Sequence, residues 1–371
     1  MNKLRVLELF GGIGACSKAL ERLDIDYEIA DYVEIDKYAV KSFNAIHNTN
    51  FEPQDITQWD KDIQVDLVMH GSPCQDFSLA GLQAGGDEGS GTRSSLMYET
   101  IRIVKKLKPK YVIWENVKNL LSKKHRHNFD AYLEIMESLG YQNYYQVLNA
   151  KDYGIPQNRE RVFTISIRND IDKEFIFPEK QELKLKLKDM LEDNVDEKYY
   201  LSDKMTNFFI YNEQKQIENG NGFRFNVTDG NVIAKTITTR AGSRMDDNFI
   251  GNKELYIKND LPNNYDLKEP KCLQVGVLDI KGIDQIKRVY SNEGISPTLT
   301  NMQGGNRQPK IETNNLRIRK LTPKECWKLM GFDDEDYEKA EKVNSNTQLY
   351  KQAGNSIVVN VLEKILKELL C

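Results

Sequence analysis

Cys74 is the residue of this chain whose type best suits covalent chemistry. It stands in Gly71-Ser72-Pro73-Cys74-Gln75-Asp76-Phe77-Ser78. An apolar run before it, Asp66-Leu67-Val68-Met69, reads as a short buried strand. A stretch rich in Gly and Ser, 81–95, follows. Reactive groups of α/β proteins stand where a strand ends and a loop begins. A thiolate attacks far better than a thiol, so a lowered pKa or a neighbouring base is required. The alternative is a small buried apolar cysteine. Glu115 is a second candidate. It follows the strand-like Tyr111-Val112-Ile113-Trp114, on the same sheet edge as Cys74 if the strands are parallel. Arg159 and Arg161 lie in Gln157-Asn158-Arg159-Glu160-Arg161, a turn packed with donors.

These groups need a frame, and the chain opens with one. Arg5-Val6-Leu7-Glu8-Leu9-Phe10 alternates as a strand and runs into Gly11-Gly12-Ile13-Gly14, then a helical stretch over about 15–23. Strand, glycine turn and helix open a nucleotide-binding unit, because glycine lets backbone approach a ligand and the helix start offers free N–H groups. A tight structural turn is the bland alternative. A second strand, 27–33, ends at Glu34-Ile35-Asp36. A carboxylate at that tip, about 20 residues after the glycines, can accept from ribose hydroxyls. A solvated loop acid is the competing reading, more for Asp36 than for Glu34.

Helices are expected over 94–107 and 129–139, and strands over 144–148 and 162–167. The last two read as a hairpin with the two arginines at its base. The basic stretch 118–128 is either a solvated helix end or a phosphate-facing surface. From about residue 178 periodicity fades and Lys, Glu and Asn dominate. Two segments there resemble each other, Thr236-Ile237-Thr238-Thr239-Arg240-Ala241-Gly242 and Thr298-Leu299-Thr300-Asn301-Met302-Gln303-Gly304. Regular structure resumes at 319–332, with Thr322 as N-cap, Pro323 in the first turn and Gly331 as the stop. Residues 350–355 read as a turn and 356–370 as an amphipathic helix.

Five cysteines without close pairs argue against a zinc site and a disulfide framework, and fit a reducing cytoplasm. No apolar run is long enough to span a membrane, and the amino terminus enters a strand without a secretory leader. The formal net charge is -4, so nucleic acid would have to be held by a local patch.

Taken in order, the motifs resemble those of the DNA (cytosine-5) methyltransferases. They are Phe10-Gly11-Gly12-Ile13-Gly14, Glu34, Asp55-Ile56, Pro73-Cys74-Gln75, Glu115-Asn116-Val117, Gln157-Asn158-Arg159-Glu160-Arg161, Arg319-x-Leu321-Thr322-Pro323-x-Glu325 and Gln352-Ala353-Gly354-Asn355-Ser356. The resemblance covers nearly the whole chain. It implies an α/β, Rossmann-like S-adenosylmethionine-dependent sheet with a smaller, mostly irregular and β target-recognition domain. The catalytic domain would be 1–177, completed by 342–371, and the target-recognition domain 178–341.

The resemblance also implies roles. Cys74 would add to cytosine carbon 6, Glu115 would donate to ring nitrogen 3, Arg161 would bond the 2-oxo group, and Arg159 would support the pocket. S-adenosyl-L-methionine would be held by Phe10, Gly11, Gly12, Gly14, Glu34, Asp55, Ile56 and Asn355. Duplex DNA would lie in a cleft between two lobes, with the target base flipped out. Gln75 and Ser78 would face DNA, and at least one of Arg240, Arg244 and Arg307 would read a base. A prokaryotic or phage-encoded cytoplasmic monomer is expected, without metal, with a cognate restriction endonuclease as a partner that the resemblance allows. Three positions depart from the common pattern: Ser72 where many members have Phe, Asp76 where many have Pro, and Gln54 where Gly is common. The rival readings are a transfer-RNA cytosine-5 enzyme on the same scaffold and a catalytically silent DNA-binding regulator. The long 178–316 segment argues against the first, and intact Cys74, Glu115 and Arg161 against the second.

Overall fold

The computed structural model describes residues 3–73, 93–251, 274–277, 288–290, 310–311 and 318–371. They fall into two units: Met1–Met190 with Ile233–Arg240 and Pro323–Cys371, and Leu191–Val232 with Ala241–Thr322.

The first unit is built on β1 (Leu4–Leu9), α1 (Ala15–Arg22), β2 (Tyr27–Val33), α2 (Lys37–His47), β3 (Leu67–His70), α3 (Met97–Leu107), β4 (Tyr111–Val117), α4 (Arg126–Ser138), β5 (Tyr141–Asn149), β6 (Gln157–Asn158) and β7 (Glu160–Arg168). Six strands form one sheet in the order β2-β1-β3-β4-β7-β5. The first four run parallel, and β7 is antiparallel to both its neighbours. β3 is buried at every position, as a central parallel strand covered on both faces must be. The chain steps from β1 out to β2, then returns to lay β3 on the other side of β1. Such a reversal leaves a crevice at the carboxyl ends of the two central strands, where ligands bind.

Because β3 and β4 are parallel, with His70 opposite Trp114, the segment entering Cys74 and the Glu115 carboxyl lie at the same end of the sheet. β4 runs through Glu115 to Val117, where the strand is expected to end. Its partner β7 carries the pairing that far, with Glu115 opposite Phe163 and Val117 opposite Arg161. The expected hairpin is present as β5 and β7, antiparallel along their full length.

Residues 350–355, read as a turn, belong to the helix Asn346–Asn355. Leu349, Tyr350 and Ala353 are buried along one of its faces, a helical spacing that the glycine and asparagines masked. The following helix, Val359–Leu370, buries Leu362, Ile365, Leu366 and Leu369 and packs on α1. Gly331 stands at φ 83 after the helix Pro323–Lys328, as its role of stop requires.

The unit boundaries differ from those expected. Residues 178–190 belong to the first unit, and so do two later segments. β9 (Ala234–Lys235) pairs in parallel with β6, after β8 (Val227–Thr228) in the second unit. Ile237 is buried and donates its N–H to Gln157 Oε1 at 2.9 Å. The stretch after Pro323 is bound by Gln157 Nε2, which donates to the Leu329 carbonyl at 2.7 Å. The second unit has its own core of Phe209, Phe225, Phe249 and Ile318, under the helix Asp203–Glu218 and short strands.

Gly14 shows how tightly the first turn is built. It stands at φ 82 as the residue before α1. A Cβ there would lie 2.2 Å from His47 Nε2 and 2.8 Å from the Phe43 ring. Gly14→Ala is therefore expected to destabilise the chain by more than about 1 kcal/mol, from left-handed strain before the clash is counted. A urea unfolding midpoint equal to that of the unaltered chain would refute this account of the turn.

Candidate active site

The glycine turn presents backbone to the crevice. Phe10 stands at φ 53, the left-handed region that a bulky residue rarely enters; such strain concentrates where a ligand is held. Gly11 is packed from behind, since a Cβ there would lie 2.6 Å from the Tyr32 ring. Gly12 faces the other way: a Cβ there would meet nothing within 4 Å. Its N–H donates to Glu34 Oε2 at 3.2 Å, and the Asp36 N–H donates to Glu34 Oε1 at 2.8 Å. Two backbone donors thus orient the Glu34 carboxyl at the tip of β2, and burial pushes its pKa up.

Glu34 and Asp36 both line the crevice but have different partners. Asp36 caps α2, accepting from the Tyr38 N–H at 2.9 Å, and pairs with Lys351 at 2.6 Å. Asp55 accepts from the Thr57 N–H and hydroxyl, each at 2.9 Å, at the start of the turn Ile56–Gln58. Gln54 stitches that turn to β2, donating to the Tyr32 carbonyl at 2.7 Å and to Asp31 Oδ1 at 3.1 Å. A glycine at position 54 would have no such reach.

One cavity of about 510 Å³ joins these groups to the catalytic candidates. Phe10, Gly12, Glu34, Asp55, Ile56 and Asn355 line it. Gly71, Ser72, Pro73, Glu115, Arg159 and Arg161 line it too. Gly11 borders an adjoining space of about 50 Å³, and Gly14 serves the helix start instead. Lys351 and Ser356 also line the cavity; Ser356 belongs to the motif quoted around Asn355, whereas Lys351, just before that motif, was not singled out from the sequence.

Glu115 is buried beside Gly71, where a Cβ would lie 3.8 Å from its Oε2. Arg161 Nε pairs with Glu115 Oε1 at 3.1 Å. Burial nevertheless raises the Glu115 pKa, outweighing the opposing pull of Arg161 and Arg159. A carboxyl in that condition can hold a proton and release it toward a bound group.

Arg159 is buried, and both of its Nη atoms donate to backbone. Nη1 donates to the Ile237 carbonyl at 3.1 Å, and Nη2 to the Gly354 and Ser356 carbonyls at 3.1 and 2.8 Å. It fastens the 233–240 segment to the segment carrying Asn355, and a Cβ on Gly354 would lie 2.3 Å from the Thr239 nitrogen. Arg161 donates Nη1 to the Glu160 carbonyl at 2.8 Å. The basic stretch is partly self-neutralised. Lys118 pairs with Glu160 at 3.0 Å and Arg126 with Asp130 at 2.7 Å.

Cys74, Gln75, Ser78 and Arg307 lie outside the described residues. Arg240 is exposed at the end of a first-unit segment, whereas Arg244 belongs to the second unit, its N–H donating to Asp247 Oδ2 at 2.9 Å. Among the described residues no group of His, Cys, Asp and Glu is placed to hold a metal ion, and no helix is long and apolar enough to cross a membrane.

The donor set fits S-adenosylmethionine. Open backbone at Gly12 and a strand-tip carboxyl suit a nucleoside, and the cavity has the size of a small-molecule site. A sheet of this topology with such a crevice defines an α/β S-adenosylmethionine-dependent methyltransferase. The family model for C-5 cytosine-specific DNA methylases matches residues 4–371, and the chain belongs to that family. It is 35% identical to the orphan methyltransferase M.SPRI of Bacillus phage SPR, over 100% of this chain and 98% of the relative. It is 33% identical to the type II methyltransferase M.HhaI of Haemophilus parahaemolyticus, over 98% and 93% of the two chains. Among solved structures, the Entamoeba histolytica methyltransferase EhMeth matches with a TM-score of 0.66 at 17% identity, over 100% of this chain and 98% of its own, a likeness of fold. The protein is a methyltransferase that uses S-adenosyl-L-methionine and methylates cytosine in DNA.

Proposed function

We propose that the chain is a DNA (cytosine-5-)-methyltransferase of class EC 2.1.1.37, acting on a target cytosine flipped from duplex DNA. The observation that carries this reading is the buried Glu115, its pKa raised by burial, paired with Arg161 at 3.1 Å in the cavity that Glu34 and Asn355 also line. When bound, the sulfonium of S-adenosylmethionine supplies the methyl group to be transferred. Phe10 would lie against the adenine, Glu34 would accept from the ribose hydroxyls, and Asp55 would accept from the adenine amino group. Gly11, Gly12, Ile56 and Asn355 complete the walls, and Gly14 starts the helix behind them.

The thiolate of Cys74 bonds to cytosine carbon 6, and the displaced electron pair makes carbon 5 nucleophilic. Glu115 gives its proton to ring nitrogen 3 as charge develops, while Arg161 bonds the 2-oxo group. After carbon 5 has gained the methyl group, a water-borne base removes the carbon 5 proton, the ring double bond re-forms, Cys74 leaves as thiolate and the nitrogen 3 proton returns to Glu115. Arg159 holds the pocket wall rather than touching the base, given its three carbonyl partners.

The second unit is the target-recognition domain in this reading, with Ile233–Arg240 as the stretch it lends to the catalytic unit. Gln75 and Ser78 face DNA. In this reading the enzyme works as a monomer in a prokaryotic cytoplasm; its relatives include both type II methyltransferases and orphan methyltransferases, so a companion restriction endonuclease is an allowed partner and not a required one. With tritiated S-adenosylmethionine, label is expected in duplex DNA and not in transfer RNA; the reverse would overturn the reading.

Specificity is tested on a randomised duplex library, read by bisulfite sequencing. If Arg240, Arg244 or Arg307 reads a base, its replacement by Ala costs roughly 1–3 kcal/mol and relaxes one position of the preferred site. A phosphate-binding arginine would weaken all sequences alike and flatten the salt dependence. An unchanged preference in all three variants would move recognition elsewhere in the second unit.

A further inference from the structure

Ser72, two residues before Cys74, is held twice from β4. Trp114 Nε1 donates to Ser72 Oγ at 3.0 Å, and Asn116 Nδ2 donates to the Ser72 carbonyl at 3.3 Å. Trp114 and Asn116 are the two residues that flank Glu115. All three side chains, Ser72, Trp114 and Asn116, are buried.

The two donors are themselves fixed. The Trp114 ring stacks on His70, with centroids 5.7 Å apart and planes 5° from parallel, and lies 4.2 Å from the Tyr132 ring. Asn116 Oδ1 accepts from the Val117 N–H at 2.8 Å, which sets which face of its amide points at Ser72. A buried indole N–H requires an acceptor, and a hydrogen bond shielded from water holds its geometry more firmly than an exposed one.

We infer that Ser72 is a positioning residue, whose two hydrogen bonds lock the end of β3 to β4 and so set where the chain entering Cys74 starts relative to the Glu115 carboxyl. The inference rests on the roles proposed above for Cys74 and Glu115. Consecutive Cα atoms are about 3.8 Å apart, so two residues beyond a fixed point leave little freedom. Satisfying the Trp114 indole alone would explain the first hydrogen bond. It does not explain why the Ser72 carbonyl is bound as well, from the opposite side of Glu115.

The test is single-turnover methylation of duplex DNA by the full chain and four variants. Ser72→Ala and Trp114→Phe each remove the hydroxyl–indole bond while keeping a side chain of similar character. Each is expected to lower the rate on the order of 10²-fold, the loss that misplacing a reacting group by about 1 Å brings. The affinities for S-adenosylmethionine and DNA should stay as in the unaltered enzyme. Ser72→Thr keeps the hydroxyl and should restore most of the rate. The double variant, Ser72→Ala with Trp114→Phe, should be no slower than either single one, because both remove the same contact.

Wild-type rates in folded Ser72→Ala and Trp114→Phe would overturn the inference. So would a loss that follows melting temperature alone, with Ser72→Thr as slow as Ser72→Ala. An unaltered enzyme that methylates no cytosine would overturn the proposed function itself, a result distinct from an active enzyme with indifferent variants.

Discussion

Cys74→Ser is expected to abolish methyl transfer, lowering the rate by roughly 10⁴-fold or more, as loss of a nucleophile does elsewhere. A serine hydroxyl is scarcely ionised near neutral pH and lacks the reactivity of sulfur. Among the described cysteines, Cys16 and Cys326 are buried, Cys371 is exposed at the end of the last helix, and none of the three lines the cavity of about 510 Å³; burial raises the Cys16 pKa well above its ordinary value. The cavity that would hold S-adenosylmethionine is walled by Phe10, Glu34, Asp55 and Asn355, none of which the substitution touches. Cofactor affinity should therefore be nearly unchanged, and DNA binding should survive. Turnover of the serine variant near the wild-type rate would remove Cys74 as the nucleophile.

Glu115→Gln is the second large effect. The amide keeps the shape and can still donate a hydrogen bond, but it cannot hand over a proton. Losing one positioned acid costs about 10²–10⁴-fold in rate, and the loss should fall on the chemical step. A change confined to the Michaelis constant for DNA would contradict the role.

The pH profile gives a second check. Burial raises the Glu115 pKa, with Arg161 and Arg159 opposing, so the acid stays protonated to a higher pH than a free carboxyl. The single-turnover rate should fall as pH rises through that value in the unaltered enzyme, and the glutamine variant should lack this limb. Stability follows the same sign. The folded state holds this proton more tightly than the unfolded one. The contribution is therefore present below the unfolded pKa and lost as pH rises through the folded value. Removing Arg161, as in Arg161→Ala, takes away a neighbouring positive charge and should move the limb to higher pH.

Much of the first unit was legible because its signals are local. Alternation in 4–9 and 27–33, the glycines between, and the short apolar run before Gly71 each report a conformation that a few neighbouring residues decide. So does Gly331 as a helix stop. The motif order then led to Cys74, Glu115 and Glu34, and the cavity contains the last two.

Other features depended on partners far along the chain. Glu34 and Asp36 are equally acidic and two residues apart. Only the α2 amides and Lys351 show that Asp36 is a cap. The helix Asn346–Asn355 was hidden by turn-forming residue types and is stabilised by burial of Leu349 and Ala353.

By itself the sequence determined the family and the cytosine-methylating activity, and it named the candidate site residues, because those are matters of residue type and short spacing. Tertiary structure alone decided which unit owns residues 233–240 and 323–341. It also decided that Arg159 binds carbonyls at 237, 354 and 356, and that Trp114 and Asn116 both grip Ser72. The physical reason is common to all three. A buried donor must find an acceptor, but its residue type does not say which of several hundred distant carbonyls or hydroxyls folding will bring to it.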